Sequence, residues 1–225
     1  MLKNNWLVCK DIDRLSEQLA YDILEISKIS ICLKNSFSIV LTGGRSIIKL
    51  YKILRSSTSD WSKWHIYLTD ERCLPVGDKD RNDNIINKIW LNNHQILEKN
   101  IHFIHAELGV SEGAIHYEKI LNGIGDFDVV LLSMGEDGHA ASLFPGSVYS
   151  NKDVVVENNS LKYPKKRISM SYSRLNRSKN ILKIVCGSLK QGAIDLWLNG
   201  EVIPINKING KNEKVYICKN SLTKD

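Results

Sequence analysis

The sequence predicts one α/β domain built on a mostly parallel sheet with helices on both faces. Three observations carry that expectation. Short runs of strand-forming apolar residues recur along the chain, as in Phe37-Ser-Ile-Val-Leu41 and Val129-Val-Leu-Leu132. Between them fall segments whose apolar residues step by three and four, the period of a half-buried helix. The 225 residues show no internal repeat, low-complexity linker or shift of composition, so 1–225 reads as a single domain.

The elements follow in order. Asp11 or Asp13 caps a helix carrying Ile12, Leu15, Leu19, Ile23 and Ile26 on one side. Phe37 to Leu41 is a buried strand, broken by Thr42-Gly43-Gly44, and Ile47, Ile48, Leu50, Tyr51 and Leu54 mark a short helix. A second strand covers 64–69 and ends at Asp70-Glu71-Arg72. A charged loop with Pro75 and Gly77 leads to a helix over 84–96, a short strand over 101–104, and a helix over 111–121 capped by Ser111. Strands are expected at 128–134, 154–156, 168–171, 182–186 and 215–218, with a helix over 188–198.

Composition narrows the function classes. The formal charge of +6 is a mild excess, and acidic groups are interspersed throughout, so no basic arm for nucleic acid stands out. Cys9, Cys32, Cys73, Cys186 and Cys218 are odd in number and form no Cys-x-x-Cys pair, which points to free thiols in a reducing cytoplasm. No apolar run is long enough to span a membrane, and the amino terminus lacks a secretory core. The expected partner is a small molecule, with neither nucleic acid nor membrane, acting on a monomer or weak homo-oligomer.

Chemistry concentrates at three strand ends, which parallel strands bring to one edge of a sheet. Thr42-Gly43-Gly44-Arg45-Ser46 joins a strand to a helix start, where glycine exposes backbone N–H groups suited to phosphate or simply makes a tight turn. Asp70-Glu71-Arg72 is either a cleft wall or an ordinary exit into solvent. Gly135-Glu136-Asp137-Gly138-His139 holds a titratable imidazole on a glycine-rich loop, with Asp137 placed to orient it. The spacing fits no metal motif, so no metal or cofactor is expected. The other histidines, His65, His94, His102, His105 and His116, read as incidental. Arg167 and Lys190 sit at later element boundaries, where a phosphate could be met.

These motifs, in this order, resemble the 6-phosphogluconolactonase family over nearly the whole chain. The resemblance runs through Thr42-Gly43-Gly44-Arg45-Ser46, Asp70-Glu71-Arg72 with Pro75 and Asn82, Phe127-Asp128, the segment from Met134 to His139, and Ser142-Leu143-Phe144-Pro145-Gly146. Arg167-Ile168-Ser169 and Gly187-x-x-Lys190 complete it. It implies a Rossmann-like fold of the glucosamine-6-phosphate deaminase type and hydrolysis of 6-phospho-D-glucono-1,5-lactone without metal. It further implies a phosphate held by Gly43, Gly44, Arg45, Arg167 and Lys190. His139 becomes the base, Arg72 the oxyanion donor, and Asp70 and Asp137 orienting carboxylates. Two positions depart from the pattern: Ile47 replaces a common proline, expected to loosen the helix start, and Arg81 replaces a common serine, expected to alter contacts near the sugar. Deaminases of the same fold carry a catalytic glutamate shortly after the histidine, and residues 140–146 contain no carboxylate.

Overall fold

The protein is described by a computed structural model covering residues 2–92 and 95–222. Among the described residues, ten strands and seven α-helices follow one another as β1 (Trp6–Cys9), α1 (Ile12–Lys34), β2 (Phe37–Leu41), α2 (Ile48–Ser56), β3 (Trp64–Leu68), β4 (Asp70–Arg72), α3 (Asn82–Ile86), β5 (Ile101–His102), α4 (Val110–Leu121) and β6 (Phe127–Ser133). Then come β7 (Val154–Glu157), β8 (Arg167–Met170), α5 (Tyr172–Asn176), β9 (Ser178–Val185), α6 (Gln191–Leu198), α7 (Pro204–Lys207) and β10 (Asn212–Cys218).

Seven strands form a parallel sheet in the order β1-β10-β9-β6-β2-β3-β5. From β2 the chain winds outward to β3 and β5, then returns to lay β6 on the other side. The topological switch therefore lies between β2 and β6, where an open parallel sheet leaves a crevice beyond its carboxyl ends. Six consecutive residues of β6 are buried, which requires both faces of the sheet to be covered and explains its unbroken apolar run.

A second sheet was not legible in the sequence. β4, β8 and β7 pair antiparallel, with Asp70 opposite Ser169 and Arg72 opposite Arg167. Thr69 is the hinge: its N–H reaches Leu41 O in the large sheet at 2.8 Å, while its carbonyl accepts Met170 N–H at 2.8 Å. The charged triplet is thus a short strand rather than a solvent exit, and α4 packs on β7 and β8 behind it.

Local chemistry accounts for most boundaries. Asp11 caps α1, its carboxylate accepting Arg14 N–H at 2.9 Å, and Leu15, Leu19 and Ile23 turn to the core. The cap of α4 is Gly109, not Ser111. The helix expected over 84–96 starts at Asn82 and passes into a π-turn at Asn87–Leu91, ending by Asn92. His94 lies outside the described residues. β1, α5 and α7 were not anticipated, being too short to express a period.

Candidate active site

The carboxyl ends of β2, β6 and β9, with β4 and β8 beside them, surround a cavity of about 560 Å³. Gly43, Gly44, Arg45, Asp70, Arg72, His139, Arg167 and Lys190 all line it; Asp137 stands behind His139. Segments separated by more than a hundred residues in sequence thus share one wall.

The imidazole is held from three sides. Asp137 accepts the His139 backbone N–H at 3.2 Å, closing a local turn, and its carboxylate also bonds Nδ1 of the ring. Gly135 lies directly beneath, where a Cβ would stand 2.1 Å from ring atoms, so only glycine admits the imidazole there. Phe144 packs on the ring with centroids 4.7 Å apart. His139 is 15% exposed, and with Nδ1 turned back to a carboxylate, Nε2 is the nitrogen left for other chemistry. Burial alone would raise the Asp137 carboxyl, but its bond to His139 prevails and holds it at about 2.

Asp70 positions the same loop from the opposite side. Its two oxygens accept the hydroxyls of Thr69 at 2.9 Å and Ser142 at 2.6 Å. Ser142 also donates its N–H to Ser169 Oγ at 3.2 Å, so the turn after the histidine is tied to both β4 and β8. Strand alternation explains the division of labour within the triplet. Asp70 and Arg72 face the cavity, whereas Glu71 points away, fully buried, and accepts N–H groups of Arg72, Asn82 and Asp83 at 2.7–2.8 Å.

The cations form the other wall. Arg72 and Arg167 are direct cross-strand partners, an arrangement of like charges that disfavours the empty sheet and favours an anion between them. Arg167 is buried, anchored by Nε to Pro164 O at 3.0 Å, and burial pulls its basicity down, with Asp70 opposing and Arg72 adding to the effect. Lys190 is likewise weakened as a base by burial. Neither Arg45, Arg72, Arg167 nor Lys190 has a salt-bridge partner among the described residues. Gly44 (φ 104°) and Gly187 (φ 114°) each open a 3-10 turn leading into a helix with no side-chain cap. Two helix starts without side-chain caps therefore border one cavity, a feature that suits an anion.

Further residues line the cavity: Asn82 and Ser46 already stood in the family-like motifs, whereas Ser133, Lys162 and Cys186 were not read as site residues. Asn82 is buried with its amide against Gly43, donating Nδ2–H to Asp70 O at 2.9 Å. Ser46 and Ser133 share a hydrogen bond of 3.0 Å across the β2–β6 crevice. Lys162 reaches Glu136 at 3.3 Å from a loop without any motif, and Cys186 lines the wall beside Lys190. Among those not read as site residues, Ser133 and Cys186, at strand ends, carried a positional signal. Two expectations need correction. Arg81 does not approach this cavity: it is buried elsewhere, bonding Asp83, Leu74 O and Glu107. Ile47 is buried in the core, and the helix start forms through the 3-10 turn at Arg45–Ile47 without proline.

An open parallel sheet with a cationic, imidazole-bearing cleft at its switch point defines an α/β protein with a candidate site for a small anion. Residues 10–217 match the family model described as glucosamine-6-phosphate isomerases/6-phosphogluconolactonase, and the chain belongs to that family. It is 32% identical over 205 residues to 6-phosphogluconolactonase 3, chloroplastic, of Arabidopsis thaliana, covering 81% of this chain and 63% of that protein. The 6-phosphogluconolactonase of Thermotoga maritima is 28% identical over 185 residues, covering 81% and 84%. Its crystal structure at 1.70 Å superposes with a TM-score of 0.87 at 25% identity, over 95% of this chain and 98% of that one. A monomeric glucosamine-6-phosphate deaminase shares the fold at a TM-score of 0.83 and 21% identity, over 97% and 100%. The fold is common to both activities, so the residues of the cleft must separate them.

Proposed function

We propose that the chain hydrolyses 6-phospho-D-glucono-1,5-lactone to 6-phosphogluconate, the ring-opening step of the oxidative pentose phosphate pathway. The observation that carries this reading is His139 on the cavity wall, Nδ1 tied to Asp137, in a cavity also lined by cations that have no salt-bridge partner among the described residues. The names of the curated relatives support the same activity.

The phosphate carries about −1.5 to −2 charges at neutral pH. Gly43 and Gly44 offer backbone donors to it, and Arg45, Arg167 and Lys190 offer charge. With that end anchored, the lactone carbonyl lies toward His139. Nε2 takes a proton from water as the oxygen attacks C1, a step worth about 10²–10⁴-fold. Negative charge grows on the carbonyl oxygen, where Arg72 stabilises it by ~3 kcal/mol on the scale of other oxyanion donors. Collapse breaks the bond from C1 to the ring oxygen, which recovers the proton from His139. Asp137 fixes the ring tautomer, and Asp70 fixes the turn that follows. Imidazole, water and arginine suffice for every step, so none is routed through a metal or cofactor.

The substrate is a free small molecule, and we place the reaction in the cytoplasm in a monomer or weak homo-oligomer. No described helix is long and apolar enough to cross a membrane.

Deamination of glucosamine 6-phosphate is the alternative within the family. Residues 140–146 offer no carboxylate for it, and Glu136 is engaged with Lys162. Purified protein should accelerate opening of freshly prepared lactone beyond the spontaneous rate and release no ammonia from glucosamine 6-phosphate. Ammonia release without lactone opening would assign the other activity.

A further inference from the structure

Cys186 and Cys218 stand at the carboxyl ends of β9 and β10, one step beyond the register pair Val185 and Ile217. Equivalent positions on adjacent parallel strands project to the same side, and the Cys218 thiol donates to Cys186 Sγ at 2.8 Å. Both thiols are free. A shift of about 0.8 Å would bring the sulfurs to the ~2.05 Å of a disulfide. Their surroundings differ. Cys186 lines the anion cavity next to Lys190, whereas Cys218 is fully buried behind it. The hydrogen bond from Cys218 lowers the Cys186 thiol against the effect of burial, with Lys190 assisting, while the same bond pushes Cys218 up. The turns that follow the two strands are joined as well, Gly187 N–H donating to Ser221 Oγ at 2.9 Å.

We propose that Cys186 and Cys218 form a reversible oxidation site on the cavity wall, where a hydroperoxide closes them to a disulfide that weakens anion binding at the Lys190 turn. The Cys186 thiolate attacks the terminal peroxide oxygen, the O–O bond breaks, and the leaving oxygen departs protonated as water or alcohol. Cys186 becomes a sulfenic acid. Cys218, already in contact and needing no solvent access, attacks that sulfur; the S–S bond forms and the hydroxyl leaves as water with the Cys218 proton. Two thiol sulfurs are oxidised and one peroxide is reduced. An external thiol reverses the reaction by exchange. The disulfide withdraws Cys186 from the cavity wall and pulls on Gly187, the residue that opens the turn carrying Lys190.

Cys9 is the competitor, since it stands opposite Cys218 on the other flank of β10. It is buried, and its thiol turns back toward Leu7 O at 4.0 Å.

The test treats full-length reduced protein with hydrogen peroxide, alkylates the remaining thiols and maps the peptides by mass spectrometry. Calorimetric titration with inorganic phosphate follows in each redox state. Neither readout uses a lactone, so failure here is separable from failure of the hydrolytic step; the effect on affinity rests on the anion-holding role proposed for Lys190, and the linkage itself does not. The expected result is a Cys186–Cys218 linkage with Cys9, Cys32 and Cys73 alkylated. Phosphate affinity should fall about tenfold, the scale of one lost charge-assisted hydrogen bond, and return with dithiothreitol. Cys218→Ser should prevent the linkage and leave phosphate affinity indifferent to peroxide. Cys186 alkylated like the other thiols, a Cys9–Cys218 linkage, or a disulfide that leaves phosphate affinity unchanged would each overturn the proposal.

Discussion

His139 draws its chemistry from contacts that are separately testable. Because Asp137 and the ring hold each other, the Asp137 carboxyl should titrate near 2 by carbon NMR, and His139→Ala should return it toward 3.8. The sign follows from linkage: a depressed carboxyl stabilises the fold above its unfolded value, and the contribution disappears as pH falls from about 4 toward 2. A carboxyl near its ordinary value in the wild type would mean that the pair does not form. Lys190 belongs to the other wall. Lys190→Ala should raise KM for the lactone roughly tenfold to hundredfold with kcat little changed, because a charge-assisted bond to phosphate is lost equally from ground and transition states. A fall in kcat alone would place Lys190 at the reacting centre instead. At this scale the sequence was informative wherever chemistry and punctuation coincide, as at Gly-Glu-Asp-Gly-His. It was silent for Lys162, whose loop has no motif; Asn82 stood in the family-like pattern, but its place against Gly43 needed the fold.

Elements do the positioning that single residues cannot. The loop after β6 places an imidazole directly on Gly135, and a methyl group there would collide with the ring at 2.1 Å. Gly135→Ala should therefore keep the fold while lowering kcat about 10²-fold, since displacement of the proposed base by ~1 Å has that scale. Circular dichroism and turnover measured together would check it, and an unaltered kcat would show that the ring need not rest there. The short strand β4 is the element that periodicity could not reveal. Three charged residues give no apolar pattern, yet their alternation sends Asp70 and Arg72 to the cleft and Glu71 to the base of α3. Arg81 teaches the converse: its departure from the family pattern suggested altered contacts near the sugar, whereas ion pairs with Asp83 and Glu107 direct it elsewhere.

Across the whole molecule, stability and function occupy opposite ends of the parallel sheet. Asp128, although part of a family-like motif, lies at the amino end of β6, fully buried, and binds Lys34 at 2.8 Å, Lys179 at 3.0 Å and Ser38 N–H at 2.8 Å. Burial would raise its carboxyl, but these partners lower it, so its contribution holds above about pH 4 and is lost on acidification. Asp128→Ala should cost about 3 kcal/mol by denaturant unfolding, chiefly through the orphaned buried N–H and lost charged bonds, and leave kcat intact. A large drop in kcat at unchanged stability would contradict this separation. The alternation of strands and helices made the parallel sheet legible, because burial on both faces leaves continuous apolar runs. The second sheet was not legible, because its partners β4 and β8 meet only after the chain has crossed the molecule. The cleft depends on both sheets. The most direct test compares steady-state lactone hydrolysis and phosphate binding in wild type and His139→Ala. Turnover reduced by about 10²–10⁴-fold with phosphate affinity preserved is the predicted result. Turnover unchanged in the variant would remove the imidazole from the reaction and with it the proposed mechanism.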